Sequence, residues 1–301
     1  MSRRHLVMLV GLSLIWGASF LFIKVGVREL EPATLIWVRV TLASLTLLPV
    51  AALVLGGRAT ALGLRGAWKP FLVQGLLNSA LPFWLISWAE QDVDSGLTAI
   101  LQASAPLFAA LLALRVDRSQ RVTGIGLVGL VLGFVGVAAL VGMPGGGSSP
   151  IRAAAVVVAA ALYALAALYG GRALGHVQPL LVATGSLVAA ALLTAPVGIA
   201  QAPHHLPGWK VVASMLALGI GGTAVAYVIY YGLIVGAGAS KAILVTYLVP
   251  PIAVAYGAVI LGESVRPEAL AGLALILGGV ALGTGNIRLL RRRAAVPELA
   301  P

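Results

Sequence analysis

The sequence predicts an all-α integral membrane protein in which ten transmembrane helices form two five-helix inverted-topology repeats around a central cavity. Three observations carry that prediction: the composition, ten apolar stretches of spanning length, and landmarks that recur between the two halves. Of 301 residues, 60% are hydrophobic and 10% charged, with a mean hydropathy of +1.04. A soluble domain holds about 45–50% apolar and about 25% charged residues. So few charges cannot face that much apolar chain with water, and the same hydrophobicity excludes a disordered polymer. Cysteine is absent, which removes disulfides, thiolate metal sites and cysteine nucleophiles.

A helix needs about 20 residues to cross a ~30 Å hydrocarbon core. Stretches of that kind run over 5–27, 33–55, 69–89, 95–114, 122–142, 152–170, 179–201, 209–235, 239–261 and 267–287. Charged clusters or Gly/Pro turns separate them, such as residues 90–94 (EQDVD) and 144–150 (PGGGSSP), where backbone groups can leave lipid and meet water. These connections are short, so neighbouring spans run antiparallel. The Ser2-Arg3-Arg4 start has the look of a signal peptide, but the first segment carries Lys24, lacks a small-residue cleavage site and leads into nine more spans.

Charge sets the orientation. Of the 20 Lys and Arg, Lys24 and Arg39 lie inside spans, and Arg28, Arg152, Lys210 and Arg266 fall on the face opposite the N-terminus. The other fourteen share the N-terminal face, so the positive-inside rule predicts both termini in the cytoplasm. The Arg288 to Arg293 run reads as an anchor beside anionic headgroups rather than a nucleic-acid patch.

The halves align through landmarks. Trp16 meets Tyr163, Pro32 meets Pro179, Pro49 meets Pro196, Trp84 meets Tyr227, Trp88 meets Tyr231, Asp117 meets Glu263, Gly126 meets Gly272 and Gly133 meets Gly279. The predicted organisation is a first repeat over 1–144, a connection over 145–151, a second repeat over 152–287 and a basic tail over 288–301. Five spans per half is an odd number, so the second half starts from the opposite face. Inverted repeats of this kind recur in secondary transporters, with the substrate site near the midplane between the halves. Duplication kept only for packing is the competing explanation.

Several side chains suit such a site. Pro106 lies inside the fourth span and Pro250-Pro251 inside the ninth; each proline removes a backbone donor and kinks its helix. The freed carbonyls need partners or a wet cavity, which brings forward Gln102 and Ser104 in one half and Thr246 and Tyr247 in the other. Trp16, Phe20, Phe83, Tyr163 and Tyr227 offer an aromatic wall, and Asn78 and Ser79 add hydrogen bonds at mid-depth; such a mixture fits an amphipathic organic solute. Trp88, beside Glu90 near the outer end of the third span, reads as interfacial belt rather than pocket, and ordinary core packing explains each aromatic as well as a pocket does. Lys24 is near enough to a boundary to snorkel. Arg39 lies about 10 Å inside from Pro32, where it either binds an anionic substrate group or caps carbonyls of a neighbouring helix.

Gly221 and Gly222 mark a flexible or closely packed segment, a candidate hinge. Gly124 to Gly129 fits the dinucleotide G-x-G-x-x-G pattern but follows no strand, so the small-residue spacing from Gly129 to Gly133 reads as close helix packing, within one chain or between two. Asp, Glu and His all fall at helix ends or in loops, with Glu90 and Glu263 placed outside the spans. No mid-membrane proton relay is predicted unless Asp117, Glu263 or Glu90 moves into the pathway; no metal site or enzymatic constellation is predicted, and no cofactor is expected.

The Trp16-Gly17-Ala18-Ser19-Phe20 segment, the Pro32 to Arg39 spacing and the run Ala105-Pro106-Leu107-Phe108 carry a resemblance, joined by Leu248-Val249-Pro250-Pro251, Leu261-Gly262-Glu263 and Gly272 to Gly279. Together they resemble the EamA family of the drug/metabolite transporter superfamily, over nearly the whole chain. The resemblance implies a bacterial inner-membrane exporter of small metabolites such as amino acids, aromatic ones included. It also implies a cavity aromatic at Trp16 and polar positions four residues before the mid-helix prolines at Gln102 and Thr246. Asp117 within Arg115-Val116-Asp117-Arg118 stands where the second half has Glu263, a departure that makes the acid structural. The expected partners are a small-molecule substrate and the lipid bilayer, without nucleic acid, in a monomer or weak homodimer. A nucleotide-sugar or lipid-linked-sugar carrier is the alternative substrate class, and a non-transporting structural membrane protein the alternative of another kind.

Overall fold

A computed structural model describes residues 1–116, 124–142 and 148–283, with the side chains of 114–116, 239 and 240 excepted. Asp117, residues 145–147 of the connection and the 288–301 tail lie outside that set. Every regular element among the described residues is helical. Helices α1 (Arg3–Gly26) and α2 (Pro32–Leu55) are followed by a short amphipathic α3 (Gly57–Gly66), where only a connection was expected. The third span, Trp68–Glu90, comprises α4 (Trp68–Gly75), a π-helical turn Leu76–Ala80 and α5 (Leu81–Glu90). The fourth, Ser95–Ala113, is α6 (Ser95–Gln102), a tight turn at Ala103 and Ser104, and α7 (Ala105–Val116).

Helices α8 (Ile125–Gly142), α9 (Pro150–Ala173) and α10 (Pro179–Ala200) come next. The span Trp209–Ala237 joins α11 (Trp209–Leu216), a π-helical segment Ala217–Val225 and α12 (Ala226–Ala237). The remainder is α13 (Ala239–Ala242), α14 (Val245–Tyr256) with a π-helical turn Gly257–Leu261, and α15 (Pro267–Gly283). Eight segments are long and apolar enough to cross a membrane, while Val245–Leu261 and Pro267–Gly283 are shorter. At 1.5 Å per residue, a 17-residue α15 spans about 25 Å, the low end of what a bilayer core requires.

Local chemistry sets the boundaries. Proline opens α2, α9, α10 and α15, where its missing N–H is not needed and its φ suits the first turn. Gly238, at φ 90°, separates α12 from α13 in a conformation that side chains with a Cβ rarely adopt. Within the helices, Ser13, Ser44, Thr46, Thr184 and Thr194 donate to the carbonyl four residues back, so these hydroxyls are satisfied without a neighbouring helix.

The prolines divide into two behaviours. Near Pro106 the chain breaks, and Ser104 Oγ donates to the Leu101 carbonyl at 2.6 Å. Pro250 and Pro251 instead sit inside a continuous α14, which corrects the expected helix break at that point. The interruption comes earlier, at Ile243 and Leu244, where Thr246 Oγ1 donates to the Ile243 carbonyl at 2.7 Å. Neither proline has an N–H to offer the carbonyl four residues back, at Thr246 and Tyr247.

Helix contacts follow a regular scheme. Helix α8 packs along α15 and α2 along α10; α1 packs on α14 as α9 packs on α6; and α1 meets α11 and α12 as α9 meets α4 and α5. The α8–α15 seam is glycine-lined. A Cβ at Gly279 would stand 2.6 Å from the Gly129 carbonyl oxygen and 2.7 Å from Gly133 Cα, whereas one at the adjacent Gly278 would meet nothing within 4 Å. The small-residue spacing therefore serves packing within one chain. Gly279→Ala is expected to lower stability by about 1–3 kcal/mol through backbone overpacking, read as a lower Tm in detergent, while Gly278→Ala leaves the Tm unchanged or slightly raised.

Candidate substrate site

The deepest polar cluster forms where α2, the third span, α9 and the eighth span converge. Arg39, only 5% exposed on α2, donates from Nε to Thr223 Oγ1 at 2.9 Å. Thr223 lies in the π-helical segment and donates in turn to the Leu218 carbonyl at 2.9 Å. The guanidinium carbon rests 3.6 Å from the centroid of Phe83, a cation–π contact in a desolvated setting. Among the described residues no hydrogen bond engages the two Nη nitrogens, so the fork of Arg39 keeps its outer donors unused.

Around this cation stand polar groups that are only partly satisfied. Asn78 Nδ2 donates to the Tyr227 hydroxyl at 3.1 Å. Tyr163 and Tyr227 lie within electrostatic reach of Arg39. Ser79 Oγ is buried without a hydrogen-bond partner. An aromatic chain leads away from the cluster: Tyr227 to Tyr231 with centroids 6.3 Å apart, Tyr231 to Tyr230 at 5.8 Å, and Tyr230 to Trp16 at 5.2 Å. Phe20 packs in the same apolar core as Phe83. Gly222 sits so close to Ser19 that a Cβ would approach its Oγ to 2.8 Å, while Gly221 faces open space.

The structure thus assembles Arg39, Asn78, Ser79, Phe83, Tyr163 and Tyr227, with Trp16 linked through Tyr230. Three expected residues stand apart from that cluster. Gln102 and Thr246 lie at the helix interruptions, the Thr246 hydroxyl proton being committed to its own backbone, and Tyr247 packs against the apolar cluster holding Ile100 and Leu107. Thr223 is the group that sequence reasoning missed. Its signal was there in principle: it stands one turn before Tyr227 as the only polar side chain in a glycine-rich apolar stretch.

At the end of the bundle where the acidic residues gather, neighbouring segments are tied together by unlike means. Lys24 does not snorkel: its Nζ donates to the carbonyls of Glu90 and Val93, both at 2.8 Å, and so completes the end of α5. Glu263 accepts from Ser95 N at 2.9 Å, Ser95 Oγ at 2.8 Å and Gly96 N at 3.2 Å, placing an anion at the N-terminus of α6. A Cβ at Gly96 would come within 3.2 Å of Val254, so α6 and α14 touch nearly backbone to backbone there. Trp88 is half-buried, stacked on Trp84 with centroids 6.4 Å apart and covered by the Arg152 guanidinium at 5.1 Å.

Glu90, assigned from the sequence to the aqueous side, is fully buried instead, because the Lys24 bond folds the end of α5 inward. It lies beyond the Arg39 chamber, toward this acidic end. A cavity of about 410 Å3 opens at the same end, lined by Lys24, Arg28, Asp94, Glu263, Ser264 and Arg266.

Residues 3–142 and 151–284 each match the EamA-like transporter family. The chain belongs to the EamA family. Like other EamA proteins it is a multi-pass membrane protein of a transporter family. It is 32% identical over 293 residues to a "Probable terminal-alkyne amino-acid exporter" of Streptantibioticus cattleyicolor, covering 94% of each chain. It is 28% identical over 280 residues to the "Uncharacterized inner membrane transporter YedA" of Escherichia coli K12, covering 92% of this chain and 89% of that one. A crystal structure superposes with a TM-score of 0.66 at 19% identity, over 98% of this chain and 100% of that chain, a likeness of fold.

Asp94 supplies a test of the acidic end. Partial burial raises its carboxyl above the ordinary aspartate value, with the Glu263 charge adding to the rise and Lys24 and Arg266 opposing it. The folded state therefore holds this proton more tightly than the unfolded chain. Ionised Asp94 weighs against folding above the folded-state pKa, and the burden lifts as pH falls through it. Asp94→Asn is expected to raise the Tm at about pH 7 and to lose that advantage near about pH 4, as thermal unfolding at the two pH values would register.

Proposed function

We propose that this EamA protein exports small amphipathic metabolites, amino acids foremost and aromatic ones among them, by alternating access between two inverted five-helix halves in a bacterial inner membrane. The observation that carries the reading is Arg39: a guanidinium held by one nitrogen, laid on Phe83, with its fork unused beside Ser79, Asn78 and Tyr227. A planar fork of that kind suits a substrate carboxylate. The Tyr227, Tyr231, Tyr230 and Trp16 chain offers faces for an apolar side chain and for an ammonium group. A phosphate-rich nucleotide sugar would call for more than the single deep cation, which weighs against the alternative substrate class.

The inverted arrangement and the ten-span count belong to this proposal. They are supported by a pairing scheme that maps onto itself when the halves are exchanged, and by π-helical segments in both the third and the eighth span. Lys and Arg bias, with the acidic end outward, supports cytoplasmic termini. The amino-acid exporter among the relatives supports the substrate class.

Counterflow in proteoliposomes tests the substrate, with L-phenylalanine, L-threonine, a lipophilic cation and a nucleotide sugar as probes. L-phenylalanine exchange is expected. Arg39→Gln should lower it about 10–100-fold, the worth of a charge-assisted hydrogen bond, with Arg39→Lys between the two; equal exchange in all three proteins would remove the pocket. The cysteine-free chain also allows a topology test: Ser149→Cys should label only from outside and Gly57→Cys only from inside, and labelling of both from one side would overturn the inverted arrangement.

A further inference from the structure

The buried group that the substrate reading leaves unused is Glu90. It is 0% exposed, and neither carboxyl oxygen has a hydrogen-bond partner. A carboxylate stripped of water and given no donor is a costly ion, whereas its protonated form is a tolerable buried dipole. Glu90 also belongs to a stripe. Ser79, Phe83, Ser87 and Glu90 recur at helical spacing on one face of the third span, all buried, and the hydroxyls of Ser87 and Ser79 are likewise without partners.

Charges face Glu90 from several sides, and among the described residues none is hydrogen-bonded to its carboxyl group. From α1, Lys24 binds the Glu90 and Val93 carbonyls rather than the carboxyl group. From α2, Arg39 binds Thr223 and lies on Phe83. Glu263, beyond α14, caps Ser95 and Gly96. From α9, Arg152 binds the Trp88 carbonyl and Gln91, and Tyr163 lies within electrostatic reach of Arg39. On Glu90's own connection, Asp92 accepts from Ser149 N and Asp94 lies in the outer cavity. Helix α6 brings no charged residue. Among the described residues, no donor from any of these elements reaches the Glu90 carboxyl group.

We propose that Glu90 is a proton-binding site that couples proton entry to export, with Ser87 and Ser79 as the polar path between it and the substrate chamber. This rests on the transport reading above. When the acidic end opens, water reaches the carboxylate, and an oxygen of Glu90 takes a proton from hydronium, leaving water. On closure the O–H bond breaks toward the chamber side and the proton passes to water there, so that one proton enters as substrate leaves. No oxidant or further reactant is required.

Two measurements test this, one of which needs no substrate. Infrared difference titration of the purified protein in lipid should show the carbonyl stretch of a protonated carboxyl at neutral pH, lost in Glu90→Gln and retained in Glu268→Gln. If that stretch is missing from the wild type, or survives in Glu90→Gln, the assignment falls. Should the glutamine variant fail to fold, Glu90→Asp must shift the band, and an unshifted band is equally fatal. In proteoliposomes, Glu90→Gln should keep L-phenylalanine counterflow at equal pH within about twofold of wild type, yet lose accumulation driven by a pH gradient at least about tenfold. Gradient-driven accumulation unchanged by Glu90→Gln would overturn the coupling. A wild type without L-phenylalanine counterflow would instead count against the substrate reading, and the infrared titration would still decide the proton site.

Discussion

Everything in this protein answers to one constraint: in hydrocarbon, each backbone N–H and C=O must find its partner inside the protein. Regular helices meet it without help, which is why long apolar stretches suffice for most of the chain. The informative places are those where the helical ladder fails. At Ala103 and Ser104, and again at Ile243 and Leu244, the chain turns and a hydroxyl steps in to satisfy the carbonyl three residues back. At Leu76–Ala80, Ala217–Val225 and Gly257–Leu261 the ladder widens to π geometry. The candidate site sits beside two of these widened segments, through Asn78 and Ser79 on one and Thr223 on the other.

The division of labour among the helices follows from the same constraint. Helices α8 and α15 carry glycine on the faces where they meet, and their contact is close enough for backbone to touch backbone. Water-like ordering cannot hold helices together in lipid, so contact area and fit must do so. The polar chemistry is shared between the interrupted third and eighth spans, which bring Asn78, Ser79, Thr223 and Tyr227, and the continuous α2 and α9, which bring Arg39 and Tyr163.

The helical class, the long spans and the depth of Arg39 were legible because hydropathy and rise per residue fix them without tertiary information. Arg39 with Phe83, Asn78, Ser79, Tyr163 and Tyr227 was legible as a set, since polar and aromatic residues at mid-depth have few reasons to be there. The Arg39 partner was not, because Thr223 reaches it across 184 positions. Glu90 was hidden by its neighbours: Gln91, Asp92 and Asp94 make the segment read as solvated, and only the Lys24 contact, 66 positions away, turns it inward. The double proline misled as to place, because the chain is interrupted upstream of it, at Ile243 and Leu244. The π-helical segments leave no mark in composition at all.

Those segments have a mechanical meaning. A π turn stores one residue more than an α turn, and moving that surplus along the helix rotates everything between its old and new positions by about 100°, with a shift of about 1.5 Å along the axis. In the eighth span such a slip would swing Thr223 and Tyr227 together, away from the guanidinium and amide they now hold, while the anchored ends at Trp209 and Ala237 stayed in place. A membrane helix cannot bend freely without orphaning backbone groups, but it can pass a surplus residue from turn to turn, much as a ruck travels along a carpet.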